Sequence, residues 1–171
     1  MMEKWDLLDD KGHPLGRTLI RGENLQAGQY HRVVHIWIVD RQRRLLIQKR
    51  AEKVQWMPGI WAVTGGSAIA GEDSITAARR ELREEMGIES RPDELIKAAT
   101  IRRRNSFCDI WLIRCDVALS DLHLQKEEVT DARWVSWNQL MKMVESKQFH
   151  NYGKEYFQSV HTAVFGSASV E

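Results

Sequence analysis

Three glutamates stand close together in the segment of residues 66–88, GSAIAGEDSITAARRELREEMGI. If residues 73–86 form a helix, Glu81, Glu84 and Glu85 occupy positions i, i+3 and i+4 and share one side of one turn. Like charges four residues apart repel on a helix, so the cluster is unfavourable without a cation. Carboxylate oxygens are the ligands that Mg²⁺ and Mn²⁺ prefer. The pattern therefore predicts a site for such an ion.

Other residues of the same segment shape this predicted site. Glu72 precedes the helix and adds a fourth acid near its N-terminal end, where the helix dipole favours negative charge. Gly66 lets a ligand or a neighbouring backbone come close, because it has no side chain. Ile75, Ala78 and Leu82 recur at helical spacing and predict the buried face. The helix is expected to pack with one face and to carry chemistry on another.

The whole segment follows the pattern GX5EX7REUXEEXGU, in which U is an apolar residue, at every position. This pattern resembles the Nudix box, the signature of the Nudix hydrolases. The resemblance implies an α/β/α sandwich in which the box forms a loop, a helix and a loop beside a mixed sheet. It also implies Mg²⁺-dependent hydrolysis of a nucleoside diphosphate linked to another moiety, with Mn²⁺ as a possible substitute for Mg²⁺.

The resemblance assigns roles to residues of the box. It implies that Glu81 and Glu85 bind Mg²⁺ and that Glu84 is a further ligand or a catalytic base. Arg80 is expected to position the glutamates, and the backbone of Gly66 is counted with the metal ligands.

The general base of this family lies either in the box or on a later loop. Residues 118–131, ALSDLHLQKEEVTD, are polar and predict such a loop. Glu128 is the candidate base there, with Glu127 and Asp131 as further acids. A solvated acidic loop without a catalytic role is the alternative for each of them.

Candidate substrate-binding residues lie outside the box. Arg50, at the end of the run LLIQKR, and the triplet Arg102 to Arg104, with Arg104 as the preferred member, are candidates for binding phosphates. Trp61 is the candidate for stacking on a nucleobase, and Trp56 and Phe107 are others. The alternatives are surface charges for the arginines and ordinary core or rim packing for the aromatic residues.

The run YHRVVHIWIVDRQRRLLIQKRAEKVQWMPGIW resembles the isopentenyl-diphosphate isomerases, which have a Nudix fold and isomerise a double bond without cleaving phosphate. Their catalytic cysteine falls near Gly65 in this chain. Their metal-binding histidines fall on Asn24, His31 and about Ser67, so one of the histidines is present. Their catalytic glutamate has no counterpart within residues 104–109. Isomerase activity is therefore an alternative to hydrolysis, and the others are a non-catalytic nucleotide sensor and an RNA-directed hydrolase.

The order of predicted elements defines the fold class. Strands are predicted before the helix at residues 4–8, 17–21, 30–39, 45–49 and 61–66, and after it at 97–103, 107–117 and 133–136, with closing helices at 137–146 and 154–165. This order predicts an α+β chain with a mixed sheet covered on both faces. Residues 1–29 form an N-terminal hairpin extension in this prediction. The absence of repeats and linkers favours one domain over residues 1–171.

The composition of the chain limits the classes of molecule that it is expected to bind. The chain has 171 residues, 43% of them hydrophobic, and a formal net charge of +1. Such a charge argues against an extended nucleic-acid surface, so the expected partner is a small phosphorylated metabolite, with nucleotides favoured. No run is long enough to span a membrane, and the odd spacing of Cys108 and Cys115 places them on opposite faces of one strand. Reduced cysteines and a cytoplasmic location are expected, whereas a homodimer is compatible with the sequence but not decided by it.

Overall fold

Nine strands and three helices follow one another in residues 2–167, the part of the chain that this computed structural model describes. The strands are β1 (Lys4–Leu8), β2 (Pro14–Ile20), β3 (His31–Val39), β4 (Leu45–Arg50), β5 (Trp61–Ala62), β6 (Thr64–Ser67), β7 (Leu95–Arg102), β8 (Ser106–Arg114) and β9 (Val129–Val135). The helices are α1 (Ser74–Met86), α2 (Trp137–Glu145) and α3 (Lys154–Phe165). Residue 1 and residues 168–171 of the predicted domain lie outside the described residues.

The central strand of the larger sheet is β3. It pairs in parallel with β8 and antiparallel with both β4 and β6, and the sheet runs in the order β5-β4-β3-β8-β7, with β9 added beside β4. Both β3 and β8 are almost continuously buried, as expected for a parallel pair with both faces covered. The smaller sheet is the N-terminal hairpin of β1 and β2. The predicted mixed sheet and hairpin extension are thus confirmed.

Alternate residues of β3 belong to two different hydrophobic cores. Trp37 and Val39 pack in the core that includes residues of α2 and α3, whereas Ile36 and Ile38 pack in the core that includes the buried face of α1. This alternation is what a pleated strand requires when both faces are covered by helices. The sheet therefore separates α1, which carries the glutamates, from α2 and α3.

The N-terminal hairpin packs beside the start of the glutamate segment. The ring of Trp5 stacks on His31 with ring centroids 4.0 Å apart. The backbone N–H of Ala70 donates to the carbonyl oxygen of Lys4 at 2.7 Å, and the N–H of Gly71 donates to an Asp6 carboxylate oxygen at 2.8 Å. These contacts fix the loop that leads into α1.

Several element boundaries differ from the prediction. The strand expected at residues 61–66 is two strands, since β5 pairs with β4 and β6 pairs with β3. The last strand begins at Val129, four residues before the predicted start, because β9 pairs with β4 along the full length of β4. Partner strands, rather than local residue preference, set these ends.

The remaining expectations about the chain can be compared directly with the structure. Cys108 belongs to the core beside α2 and α3 and Cys115 packs against the core beside α1, so the two thiols lie on opposite faces and are free. Within residues 2–167, no helix has both the length and the apolar character that crossing a bilayer requires.

Candidate active site

Helix α1 has well-defined ends that place its glutamates. The side chain of Asp73 caps the N-terminus by accepting a hydrogen bond from the N–H of Thr76 at 2.9 Å. Gly87 ends the helix with a φ of 71°, a left-handed conformation that favours glycine. The predicted helix of residues 73–86 therefore forms with a difference of one residue, since Asp73 is the cap.

The side chain of Arg80 binds three of the four acids of the segment. Its Nε and Nη2 donate to the two carboxylate oxygens of Glu72 at 2.8 and 3.0 Å. Its Nη1 donates to Glu81 at 2.8 Å and to Glu84 at 3.2 Å, and Nη2 also reaches the carbonyl of Ser67 at 3.1 Å. Burial by itself lowers the pKa of Arg80, but Glu72 and Glu81 outweigh burial and raise it. Arg80 is thus a permanent cation in the middle of this acidic cluster.

Glu85 is buried on the sheet side of the same helix, with 4% of its surface exposed. Its Oε2 accepts hydrogen bonds from Gln48 Nε2 at 2.9 Å and from the N–H of Gly65 at 3.2 Å. Thr64 donates in turn to the other end of Gln48 at 2.9 Å, which fixes the orientation of the amide. Burial, and secondarily the charge of Glu81, raises the pKa of Glu85 to about 8. The ionised form of Glu85 is therefore destabilised unless a cation accompanies it.

The donor set fits a hard divalent cation. Burial also raises the pKa of Glu81, and the charge of Arg80 opposes this only in part. Both hydrogen bonds to Glu85 end on Oε2, and no donor within residues 2–167 reaches Oε1, so an oxygen is left for another ligand. A Cβ added at Gly66 would overlap the carboxylate of Glu81, so the backbone of Gly66 lies against that acid.

The acids do not by themselves converge into a closed metal cage. Across residues 2–167, no group of three or more acidic, histidine or cysteine side chains has that geometry. Arg80 holds Glu81 and Glu84 through one oxygen each, which leaves their other oxygens available. Oxygen donors, and the cost of holding the buried Glu85 and the partly buried Glu81 close together, fit Mg²⁺ or Mn²⁺ at these two residues.

The loop that contains Glu128 borders the helix. The N–H of Gln125 donates to the carbonyl of Glu85 at 3.2 Å, and the N–H of Ala51 donates to the carbonyl of Glu128 at 2.8 Å. Glu128 is half-buried, whereas Glu127 is exposed. The structure thus brings the backbone of Glu128 between the end of α1 and the end of β4. Its role as a general base stays a prediction.

Arg50 and Trp56 form a pair at the edge of the site. Arg50 Nε donates to the carbonyl of Trp56 at 2.8 Å, and its guanidinium lies 5.1 Å from the centroid of the Trp56 ring. The charge of Arg50 acts on the pKa of Glu85, which it lowers against the larger effect of burial. Trp56 is 50% exposed, so a ligand can reach its ring.

The other predicted substrate contacts have no hydrogen bond or ion pair with the glutamates within residues 2–167. Trp61 is half-buried in β5 with the guanidinium of Arg133 4.5 Å from its ring centroid. Arg104 is exposed in the turn between β7 and β8, and no side-chain hydrogen bond or ion pair joins it to residues 2–167. Phe107 is buried with Leu8 under the hairpin. Their roles in binding a substrate stay predictions.

Gln48 is the residue that inspection of the sequence missed. It is fully buried in β4 and binds Glu85 directly. A signal was present, because a buried strand such as LLIQKR has little reason to contain an amide unless the amide has a partner. The identity of that partner depends on the packing of α1 against β4.

Comparison with known proteins agrees with the geometry. The family model described as NUDIX domain matches residues 29–158, about three quarters of the chain and the whole glutamate segment. The chain belongs to the Nudix hydrolase family. A Nudix hydrolase of Listeria monocytogenes is 42% identical over 88% of this chain and 90% of its own length. The intact box and the acids that it positions are therefore those of an enzyme family.

Two further similarities extend the comparison. An isopentenyl-diphosphate Δ-isomerase of Streptomyces avermitilis is 28% identical over 93% of this chain and 84% of its own, in agreement with the predicted likeness to that branch. This Nudix hydrolase superposes on the crystal structure of DR0079 from Deinococcus radiodurans with a TM-score of 0.76 and 20% sequence identity. The superposition includes 95% of this chain and 99% of the DR0079 chain. The latter similarity shows the shared fold.

Glu72→Gln tests whether Arg80 needs its two-oxygen partner. The substitution removes the charge from the acid that binds Arg80 through both oxygens, so Arg80 is expected to compete more strongly for Glu81 and Glu84. We expect a decrease of about 1–3 kcal/mol in the unfolding free energy, measured by urea denaturation, and a loss of metal affinity of about tenfold or more. Glu89→Gln, at an exposed position just after α1, is the matched control. Equal behaviour of the two variants would contradict this role of Glu72.

Proposed function

We propose that this Nudix hydrolase cleaves a diphosphate linkage in a nucleoside diphosphate linked to another moiety, such as a nucleoside triphosphate or ADP-ribose, with Mg²⁺ as its cofactor. The observation that carries the proposal is a pair of carboxylates on one face of α1, namely Glu85, which is buried, and Glu81, whose side chain is 12% exposed. A buried pair of like charges is costly in isolation, and a divalent cation with a bound diphosphate is the partner that offsets the cost.

Each residue has a defined task in this proposal. Glu81 and Glu85 would hold Mg²⁺, which when bound supplies charge stabilisation to the diphosphate and acidifies water. Glu84 has a side chain that is 45% exposed, so it is accessible to accept the proton of the attacking water. Glu128 is the second candidate base, since its loop is tied to the end of α1. Arg80 keeps the acids in place, and Arg50 provides positive charge for a phosphate.

A nucleotide is the favoured substrate class. The exposed ring of Trp56 lies against Arg50, so an aromatic surface and a guanidinium adjoin each other two residues along β4 from Gln48, which binds Glu85. A nucleobase stacks on an aromatic ring while an arginine binds phosphate, and the pair offers both contacts.

Isomerase activity is not supported by the cysteines. The isomerases use a cysteine that falls near Gly65, where this chain has a glycine. Cys108 is buried on the other face of the sheet from α1, and burial raises the pKa of its thiol to about 12. Cys115 also has a raised pKa, caused by burial and the acids near it. Neither thiol has the low pKa of a reactive cysteine.

The proposal is tested by incubating the pure protein with Mg²⁺ and a panel of diphosphate compounds. The panel contains nucleoside triphosphates, ADP-ribose, NADH, dinucleoside polyphosphates and isopentenyl diphosphate, and chromatography separates hydrolysis from isomerisation. We expect hydrolysis of at least one nucleotide, and none in EDTA. Binding of nucleotides without turnover would indicate a sensor instead. Glu84→Gln and Glu128→Gln identify the base, because the correct one loses about 10²-fold or more in kcat.

A further inference from the structure

The guanidinium of Arg103 packs against tyrosine rings and has no acidic partner within residues 2–167. It lies 5.4 Å from the ring centroid of Tyr152 and 5.8 Å from that of Tyr156. Its Nη2 is buried and has no hydrogen-bond acceptor within residues 2–167, and no carboxylate in that part of the chain forms an ion pair with it. A half-buried cation without a counter-ion is costly, so an anion that bound there would be strongly favoured.

The groups near Arg103 increase this positive potential. After burial, the charge of Arg103 is the next cause that lowers the pKa of both His35 and His150, and Arg50 contributes further at His150. Arg50 also lacks an ion pair with a carboxylate of residues 2–167. Two guanidinium groups therefore act on the same half-buried histidine, His150, and neither of them is neutralised by an ion pair within residues 2–167.

A continuous row of rings connects Arg103 with Arg50. The centroids of Tyr152 and His150 are 4.5 Å apart, and those of His150 and Trp56 are 5.1 Å apart. The guanidinium of Arg50 lies 5.1 Å from the Trp56 centroid at the other end. The row places one arginine at each end of an aromatic surface.

This row adjoins the strand segment that binds Glu85. The N–H of Val63 points to the hydroxyl of Tyr152 at 3.4 Å. Gly65, whose own N–H donates to Glu85, is so close to His35 that an added Cβ would lie 3.0 Å from its ring. His35 Nδ1 is hydrogen-bonded to the hydroxyl of Tyr156 at 2.7 Å. The rings around Arg103 are therefore in contact with β3, through His35, and with residues 63–65, through Val63. The Arg103 cluster and the glutamates thus lie on opposite sides of a single short backbone segment.

We propose that Arg103 binds a phosphate of the substrate, with Arg50 and His150 contributing to the same anion site. The inference rests on the proposed function for the identity of the anion, because a diphosphate compound supplies charged oxygens beyond those held by the acids. A planar guanidinium can bind two phosphate oxygens at once, and a phosphate would supply the acceptor that the Nη2 of Arg103 lacks within residues 2–167. Arg104, its exposed neighbour, stays a separate candidate for binding a phosphate.

The site is tested by calorimetric titration of the metal-free protein with inorganic diphosphate in EDTA. Arg103→Met removes the charge and keeps the length of the side chain, Arg103→Lys keeps the charge without the planar guanidinium, and Arg17→Met, at an exposed position of β2, is the matched control. We expect Arg103→Met to weaken binding about tenfold or more and Arg103→Lys less, since charge-assisted hydrogen bonds are lost in part. Arg17→Met is expected to bind within about twofold of the wild-type protein.

Two outcomes would overturn the site. One is equal binding by Arg103→Met and Arg17→Met, and the other is no measurable binding by the wild-type protein. A structural role predicts a lower melting temperature for Arg103→Met with unchanged affinity, whereas we expect an unchanged or higher melting temperature without ligand. If Arg103→Met does not fold, Arg103→Lys takes its place in the titration. An affinity of Arg103→Lys equal to that of the wild-type protein would then overturn the site. Absence of Mg²⁺-dependent turnover would contradict the proposed function while leaving the diphosphate titration as a separate result.

Discussion

Glu85→Gln is expected to lower the rate of Mg²⁺-dependent hydrolysis by at least about 10²-fold while stabilising the metal-free protein. The rate decreases because a neutral amide is a poor ligand for Mg²⁺. Stability increases because the ionised carboxylate is buried, with its pKa raised to about 8. A glutamine keeps similar length and removes the charge that the fold disfavours. The measurements are initial rates with saturating Mg²⁺ and thermal unfolding in EDTA at pH 8.

Glu89→Gln provides the control for this comparison. It makes the same chemical change at an exposed position three residues after the end of α1. We expect its rate and melting temperature to remain close to those of the wild-type protein. If Glu85→Gln were as active as Glu89→Gln, Glu85 would not take part in the reaction. If it were inactive but less stable, its carboxylate would be needed for folding instead.

The metal-free wild-type protein is expected to lose stability between about pH 4.5 and pH 8. The pKa of Glu85 is about 8 in the folded chain, compared with a usual value of 4.5 for the unfolded chain. In this window the folded state binds more protons than the unfolded state, so the unfolding free energy decreases as pH rises. The raised pKa of Glu81 acts in the same direction. The total decrease from Glu85 is on the order of a few kcal/mol.

Buried histidines oppose this trend at the acidic end of the window. Burial, and secondarily Arg21, lowers the pKa of His31 to about 4, and the pKa of His35 is also lowered by burial. Because these histidines bind fewer protons in the folded state than in the unfolded state, they lower the unfolding free energy as the pH falls below about 6.5. The difference between wild type and Glu85→Gln isolates the carboxylate. Urea denaturation in EDTA at pH 5, 6.5 and 8 measures it.

The expected difference has a defined sign. Glu85→Gln should be more stable than the wild-type protein at pH 8, and this advantage should become smaller as the pH falls to 5. Addition of Mg²⁺ should restore the stability of the wild-type protein at pH 8 and have little effect on the variant, because an ion that binds only the folded state stabilises it. A stability difference that did not change with pH would contradict a raised pKa for Glu85.

The sequence predicted the helix that carries the glutamates because its signals are local. Asp73 at the cap, Gly87 after the last turn and apolar residues at helical spacing all lie within residues 73–87. The closing helix at Lys154–Phe165 was predicted with the observed ends for the same reason. The strands β5 and β9 were predicted less well, because their ends depend on pairing with β4, which is distant in sequence.

The arrangement of side chains in the site was beyond the sequence. The spacing of the box places the acids on one helix face. It does not show that Arg80 binds both oxygens of Glu72, or that Glu85 accepts its hydrogen bond from Gln48 instead. Likewise, an arginine triplet predicts positive charge without distinguishing its members. In the turn between β7 and β8, a nitrogen of Arg103 is buried beside the rings of Tyr152 and Tyr156, whereas Arg104 is exposed.

Binding of Mn²⁺ to the metal-free protein, followed by electron paramagnetic resonance, tests the role of the buried glutamates most directly. The wild-type protein should bind Mn²⁺ more tightly at pH 8 than at pH 6, since protons compete for Glu85, and Mg²⁺ should displace the ion. Glu85→Gln and Glu81→Gln should each weaken binding by about tenfold or more, with Glu89→Gln unchanged. If Glu85→Gln and Glu81→Gln bound Mn²⁺ as tightly as Glu89→Gln, the two carboxylates would not be the ligands of the cation.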